Sequence, residues 1–240
     1  MTPGSAETPG RSGLEQPVTT AVVVPVYGNE ATLEELVRRL AGALAGRPWR
    51  LRLVVDASPD DSAAVASRLA AADPRVAVTV LERNVGQHRA LEVGLVAEPD
   101  ATTWACLDAD LQDPPEALPL LLDRWAVGDV NAVFAGRRGA YEGPLRLLTG
   151  RAHRLLLARL TGLPPDAGAF LVLDATACAA VLAAGAPSLV AAIGAARLPV
   201  TSVPVVRHER PAGRSAWTVR ARLRQSARTL AWTWRSRRQE

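Results

Sequence analysis

Residues 104–116 read Trp-Ala-Cys-Leu-Asp-Ala-Asp-Leu-Gln-Asp-Pro-Pro-Glu, WACLDADLQDPPE. Four apolar residues run into three carboxylates, Asp108, Asp110 and Asp113, and then into two prolines. An apolar run this short, bounded by turn-forming residues, reads as a buried strand. Pro114 and Pro115 suit the first turn of a following helix, where a backbone N–H has no intrahelical partner to lose. Carboxylates so close repel one another, so the segment between strand and helix needs a counter-charge.

Working outward, the same alternation recurs. Ala21–Val24 reads as a buried strand. A helix is expected from Thr32, with Thr32 and Glu35 as a capping box and Leu33, Leu36, Val37, Leu40 and Leu44 as its apolar face. The pattern then predicts strand Arg50–Val55, helix Ser62–Ala72, strand Val76–Leu81, helix Arg89–Val96, strand Thr103–Leu107 and a helix from Pro114 to about Val127. Beyond these come strand Val130–Ala135, helix Leu145–Leu160, strand Phe170–Leu173 and short helices Thr176–Ala184 and Leu189–Ala195. Strand Val200–Val206 is broken by Pro204, which marks an edge. A helix over Trp217–Trp234 closes the chain. Such alternation implies an α/β fold: a mostly parallel central sheet flanked by helices on both faces. Ligands in such sheets bind outside the carboxyl ends of the strands. The loops after Val24, Val55, Leu81 and Leu107 are therefore the candidate site, and they carry most of the polar chemistry.

Bulk properties bound the rest. The 240 residues suit one domain, and 48% hydrophobic content with 4% aromatics predicts a core of Ala, Val and Leu. All 28 basic residues are Arg, a side chain suited to bidentate phosphate contacts. Cys106 and Cys178 sit in apolar contexts and read as reduced thiols, which points to a cytoplasmic location. No stretch approaches the ~18 apolar residues that span a bilayer, and residues 1–20 lack the pattern of a secretory signal. Rich in Pro, Gly, Ser and Thr, residues 1–20 are expected to be a disordered tail, ahead of a domain over 21–215 and a basic helix over 216–240. Residues 207–240 hold ten Arg against Glu209 and Glu240, on a chain whose net charge is only +4. That asymmetry calls for an anionic partner, and it fits an interfacial amphipathic helix with Ala216, Val219, Leu223, Ala227, Leu230 and Trp234 on one stripe. The alternative is a stripe packed on the domain core.

Taken singly, the loop motifs are ambiguous. Asp108 and Asp110, one residue apart, suit a hard divalent cation that shares its shell with phosphates, or else form a polar loop with Asp113 capping the next helix. Asp56 in VVDASPDDS suits a base or ribose donor, or else an Asx turn. Residues 83–90, RNVGQHRA, are dense in donors around Gly86; His88 is either part of a site or structural. Arg137 and Arg138 suit a phosphate, or are a surface pair.

In order, VVVPVYGNEATL (22–33), VVDASPDDS (54–62), ERNVGQHRAL (82–91), LDADLQDPPE (107–116), AGRR (135–138), DAGAFLVLD (166–174) and RHERPAGRSAW (207–217) resemble the inverting family 2 glycosyltransferases of GT-A fold. The likeness is to the branch that transfers a sugar to polyprenyl or dolichyl phosphate. The resemblance implies that Pro25, Tyr27, Glu30 and Asp56 hold the nucleoside, with Gln87 in the donor-rich loop. It implies that Asp108 and Asp110, with Gln112 nearby, position Mg2+ or Mn2+ and the donor diphosphate. Arg137 would meet the acceptor phosphate, and Arg207, Arg210, Arg214 and Ser215 would close over the phosphates. An acceptor phosphate is already anionic and needs no strong base; for a sugar hydroxyl acceptor, Asp166 is the candidate base. Two departures stand out: Val55-Asp56-Ala57-Ser58 replaces the usual DDGS, and Ala216 replaces a Lys. The implied partners are a nucleotide-sugar, a lipid phosphate and the inner face of the cell membrane, with no nucleic acid. Other readings are a soluble or cell-wall glycan acceptor, a non-catalytic sugar-nucleotide binder, and a nucleotidyltransferase, which would carry a Gly-rich basic loop after the first strand.

Overall fold

A computed structural model of the chain describes residues 19–138, 158–208 and 219–236, with side chains from 227 onward to 235 in the last segment. Most of the expected disordered tail, most of the expected helix 145–160, and Arg210, Arg214 and Ser215 lie outside the described residues.

Seven strands form one sheet: β1 Thr20–Val26, β2 Trp49–Asp56, β3 Val76–Leu81, β4 Thr103–Cys106, β5 Ala132–Arg138, β6 Leu171–Asp174 and β7 Val200–Val206. Their spatial order is β3-β2-β1-β4-β6-β5-β7. Pairing is parallel except at β6, which runs antiparallel to both β4 and β5. The helices are α1 Leu33–Ala43, α2 Ser62–Ala72, α3 Gln87–Val96, α4 Leu118–Ala126, α5 Ala175–Ala183, α6 Leu189–Ala196 and α7 Val219–Ser236. β7 lies at the sheet edge, as Pro204 implied: at an edge, a missing N–H breaks no ladder.

The central strands are apolar on both faces because helices cover both. Along β1, Val22, Val24 and Val26 face the core under α1, α2 and α4, while Ala21 and Val23 face the core under α3, α5 and α6. Leu33, Leu36, Val37, Leu40 and Leu44 are buried, as the periodicity of α1 required. Close packing of α3 needs Gly94: a Cβ there would lie 3.0 Å from Val54 Cγ2 and overlap the Val23 side chain.

Three local expectations are corrected. Thr32 and Glu35 do not form a capping box. The Thr32 hydroxyl donates to the Ala109 carbonyl at 2.7 Å and to the Asn29 carbonyl at 3.1 Å, while Glu35 pairs with Arg38 at 2.7 Å. The Thr32 backbone lies in the helical region (φ −114°, ψ −16°) rather than the extended one of an N-cap, and its hydroxyl acts as a donor to the carboxylate loop instead of accepting from a helix amide. Asp113 does not cap the next helix either; a 3-10 turn over Pro115–Ala117 precedes α4 without a side-chain cap. Finally, β5 spans Ala132–Arg138 rather than the expected Val130–Ala135: it ends three residues later because the parallel ladder with β7 extends to Arg138↔Val206.

Candidate active site

The carboxyl ends of β1, β2 and β4 meet where the strand order reverses, and the polar loops converge there. After β1, the Gly28 amide donates to Ser58 Oγ at 2.7 Å, and the Asn29 amide to Ser62 Oγ at 3.1 Å. Glu30 Oε2 accepts from the Asp61 amide at 2.8 Å, while Tyr27 is 41% exposed beside it. Burial alone would raise the Asp60 carboxyl; hydrogen bonds from Ser58, Ser62 and the Glu30 amide outweigh it and hold the group below its ordinary value. The β1 and β2 loops are in this way sewn into one rigid surface.

Asp56 is buried, and its two oxygens accept the Val85 and Gly86 amides at 2.7 and 2.8 Å. It is neither a local Asx turn nor a free acceptor: it anchors the β3–α3 loop. Ala57 follows with φ +48°, in the left-handed region that glycine occupies at least cost.

That anchored loop brings Gln87 to the carboxylates. Gln87 Nε2 donates to Asp108 Oδ1 at 2.5 Å. Asp110 Oδ1 accepts the Gln112 amide at 3.1 Å. Gln112 is tied in turn to the end of β7: its carbonyl accepts the His208 amide at 2.8 Å and its side chain donates to the His208 carbonyl at 3.3 Å.

The counter-charge is Arg207. Its Nη2 lies 3.6 Å from Asp108 Oδ2 and its Nε 3.2 Å from Asp113 Oδ1, with the Arg207 side chain 8% and that of Asp113 3% exposed. Burial, then Asp110 and Asp113, push the Asp108 carboxyl up to about 6, against the pull of Arg207 and Arg137. Asp113 joined the sequence argument only as a repelling charge and a helix cap. Its pairing with the end of β7 has no local signal.

Beyond this cluster, Arg137 packs over Gly168, where a Cβ would lie 2.5 Å from its Nε. Asp166 sits against Gly136 and pairs with Arg138 at 3.1 Å. His88, half-buried on α3, lies 3.0 Å from Glu92. Desolvation lowers its pKa despite the opposing pull of Glu92 and a hydrogen bond with the Ala186 backbone.

Among the described residues no group of three or more His, Cys, Asp or Glu side chains is arranged to hold a metal ion. Asp108 and Asp110, one residue apart just past the end of β4, nevertheless fit Mg2+ or Mn2+, which takes one or two protein carboxylates and completes its shell from substrate phosphates and water.

Residues 21–180 match the family described as Glycosyl transferase family 2, and the chain belongs to that family. Over 146 residues it is 36% identical to the undecaprenyl-phosphate 4-deoxy-4-formamido-L-arabinose transferase of Pectobacterium carotovorum, a match covering 59% of this chain and 44% of the relative. The Klebsiella pneumoniae transferase of the same description is 35% identical over 145 residues, again 59% and 44%. The aligned part is thus under half the length of these relatives. The fold is GT-A. Glucosyl-3-phosphoglycerate synthase from Mycobacterium tuberculosis, solved with Mn2+, UDP and glucosyl-3-phosphoglycerate, superposes with TM-score 0.69 at 16% identity, over 91% of this chain and 80% of that one. S. aureus TarS superposes with TM-score 0.54 at 14% identity, over 80% and 60%.

Proposed function

We propose that this chain is an inverting glycosyltransferase that moves a sugar from a nucleotide-sugar to a polyprenyl phosphate. The observation that carries the reading is the convergence of Asp108, Asp110, Gln87 and Arg207 at the carboxyl end of β4, beside loops that offer a nucleoside surface. The names of the relatives, transferases to undecaprenyl phosphate, support the acceptor class.

In this reading Pro25, Tyr27 and Glu30 form the nucleoside surface, with Asp56 holding the loop that closes it. Asp108 and Asp110 hold Mg2+ or Mn2+, which when bound supplies positive charge against the leaving diphosphate. Gln87 orients Asp108, and Gln112 locks the carboxylate loop to the end of β7. Arg207, already beside Asp108, turns its guanidinium to the diphosphate, and Arg210, Arg214 and Ser215 extend that clamp. Arg137 receives the acceptor phosphate, whose own charge serves for attack on the anomeric carbon. Asp166 pairs with Arg138 through Oδ2, while its Oδ1 has no hydrogen-bond partner among the described residues, so a hydroxyl acceptor would find its base there; the phosphate acceptor rests on the names of the relatives.

Membrane access comes from α7, at the inner face of the cell membrane. Thr229 and Thr233 are the buried face of α7, while Ala227 is exposed, Leu230 half-buried and Trp234 50% exposed. The described part of the apolar stripe therefore points away from the core, the orientation an interfacial helix needs. No described helix is long and apolar enough to cross a membrane.

The test is transfer from UDP-, GDP- and dTDP-sugars to a short polyprenyl phosphate, with and without EDTA, beside Asp110→Asn. Metal-dependent lipid-linked product that is lost in the variant is the expected result. Metal-dependent transfer to a soluble sugar or sugar phosphate, with none to lipid, would overturn the acceptor.

A further inference from the structure

One hydroxyl stands between the loop after β1 and the carboxylates. Thr32, just ahead of α1, is buried. Its Oγ1 donates to the Ala109 carbonyl at 2.7 Å, across 77 positions of sequence. The Asn29 carbonyl, in the loop that carries Tyr27 and Glu30, accepts from the same hydroxyl at 3.1 Å. A hydroxyl has a single proton, so the two carbonyls share it and the nearer one, Ala109, takes the larger part. Ala109 is the buried residue between Asp108 and Asp110. Each carboxylate has a hold of its own, Asp108 from Gln87 Nε2 at 2.5 Å and Asp110 from the Gln112 amide at 3.1 Å. Thr32 holds the backbone that joins them.

The carboxylate loop does not keep this shape unaided. Leu111, directly after Asp110, has φ +58°, in the left-handed region that a residue with a Cβ occupies at a cost. Such a residue persists only where the surrounding contacts over-determine it. Its side chain is buried in the same core as the apolar face of α1, which is one such contact, and the Thr32 hydroxyl is another. Without that hydroxyl the buried Ala109 carbonyl would turn to find another donor, and the relief of Leu111 would favour the turn.

We propose that Thr32 is a positioning residue for the cation: by holding the Ala109 carbonyl it keeps Asp108 and Asp110 preformed as a pair, so that a cation binds without reordering the loop. The inference rests on the reading above of Asp108 and Asp110 as ligands to Mg2+ or Mn2+. Thr32 acts through the backbone of the loop and not on the substrate. Because the same hydroxyl bonds Asn29, it also makes the nucleoside surface and the metal loop one rigid unit.

The experiment titrates the full chain with Mn2+, alone and with UDP, GDP or dTDP in turn, and follows the free ion by its electron paramagnetic resonance signal. Thr32→Val keeps the shape of the side chain and loses the hydroxyl. Thr32→Ser keeps the hydroxyl and loses the methyl group. Thr32→Ala loses both and leaves room, which serves if valine against the Ala109 carbonyl prevents folding. Val37→Ala, buried on the same helix, controls for a loss of stability alone. The Kd for Mn2+ rises about tenfold in Thr32→Val and Thr32→Ala, and in Thr32→Ser and Val37→Ala it matches the wild type. Thr32→Val and Thr32→Ala proteins that bind Mn2+ as the wild type does, or a Thr32→Ser protein weakened as much as they are, would overturn the positioning role and leave the metal reading standing. A wild type that takes up no Mn2+ with any of the nucleotides would overturn the metal reading, and the positioning role with it.

Discussion

Replacing Arg207 by alanine removes the counter-charge from two carboxylates, Asp108 and Asp113. Arg207 is 3.2 Å from Asp113 and 3.6 Å from Asp108, and both it and Asp113 are almost wholly shielded from water. Removing one partner of such a pair leaves uncompensated buried charge and costs about 3 kcal/mol. At about 2–4 °C per kcal/mol for a domain of this size, the metal-free melting temperature falls by about 6–12 °C. A divalent cation between Asp108 and Asp110 supplies the missing charge. Mn2+ at a hundredfold its Kd returns about 2.7 kcal/mol, most of the loss. The same Mn2+ concentration shifts the variant more than the wild type, where the guanidinium already opposes the ion. Calorimetric melts in EDTA and in Mn2+ measure both effects. Arg39→Ala is the control: its pair with Glu116 is 2.6 Å long, but Glu116 is 53% exposed, so its loss costs under about 1 kcal/mol. An Arg207→Ala protein that melts with the wild type in EDTA, or gains no more from Mn2+, would refute the counter-charge argument.

Other perturbations follow from the same geometry. Ala57→Gly relieves a left-handed residue, and after the entropy of the added glycine is subtracted the gain is about 0.5–1 kcal/mol, or about 1–4 °C in the melting temperature, with donor KM unchanged; a lower melting temperature would contradict it. Gly168→Ala places a Cβ 2.5 Å from Arg137 Nε and displaces the guanidinium, so acceptor KM should rise about tenfold while donor KM holds; kinetics with each substrate varied separately decide it. Stability in EDTA should fall as pH rises from about 4 to about 6. Burial raises the Asp108 carboxyl in the folded chain to about 6 from 3.8, so between those values the folded state binds the extra proton and rising pH removes that advantage. The effect is about 2 kcal/mol after allowance for the 22% exposure of the side chain. It is read as the difference between wild type and Asp108→Asn, so that other titrating groups cancel.

Much of the architecture is legible locally. Ser62–Ala72, Val76–Leu81 and Val200–Val206 have in the structure the bounds that their hydrophobic periodicity predicts. The burial of β1 on both faces, the edge position of Pro204 and the clustering of polar loops at one sheet edge follow from composition and alternation alone. The DxD pair and the donor-rich loop at 83–88 are visible because each directly follows a strand, and a parallel sheet brings all strand ends to one side. Where reading fails, a long-range partner has displaced a local one. Thr32 could accept from its own helix, but its backbone is helical and its hydroxyl is turned to donate to the Ala109 carbonyl. Asp56 could form a turn, but two amides of the next crossover claim both of its oxygens.

What the sequence by itself determined is the set of strands and helices, the parallel sheet they imply, and the side on which the chemistry lies. These are periodic properties, encoded within a dozen residues. Only the tertiary structure decided that Asp113 pairs with Arg207, that Gln87 reaches Asp108, and that α7 turns Thr229 and Thr233 inward and Trp234 outward. Each of those depends on where a distant element comes to rest. The balance of desolvation against a partner charge or a buried contact is set by that placement, and no local pattern contains it.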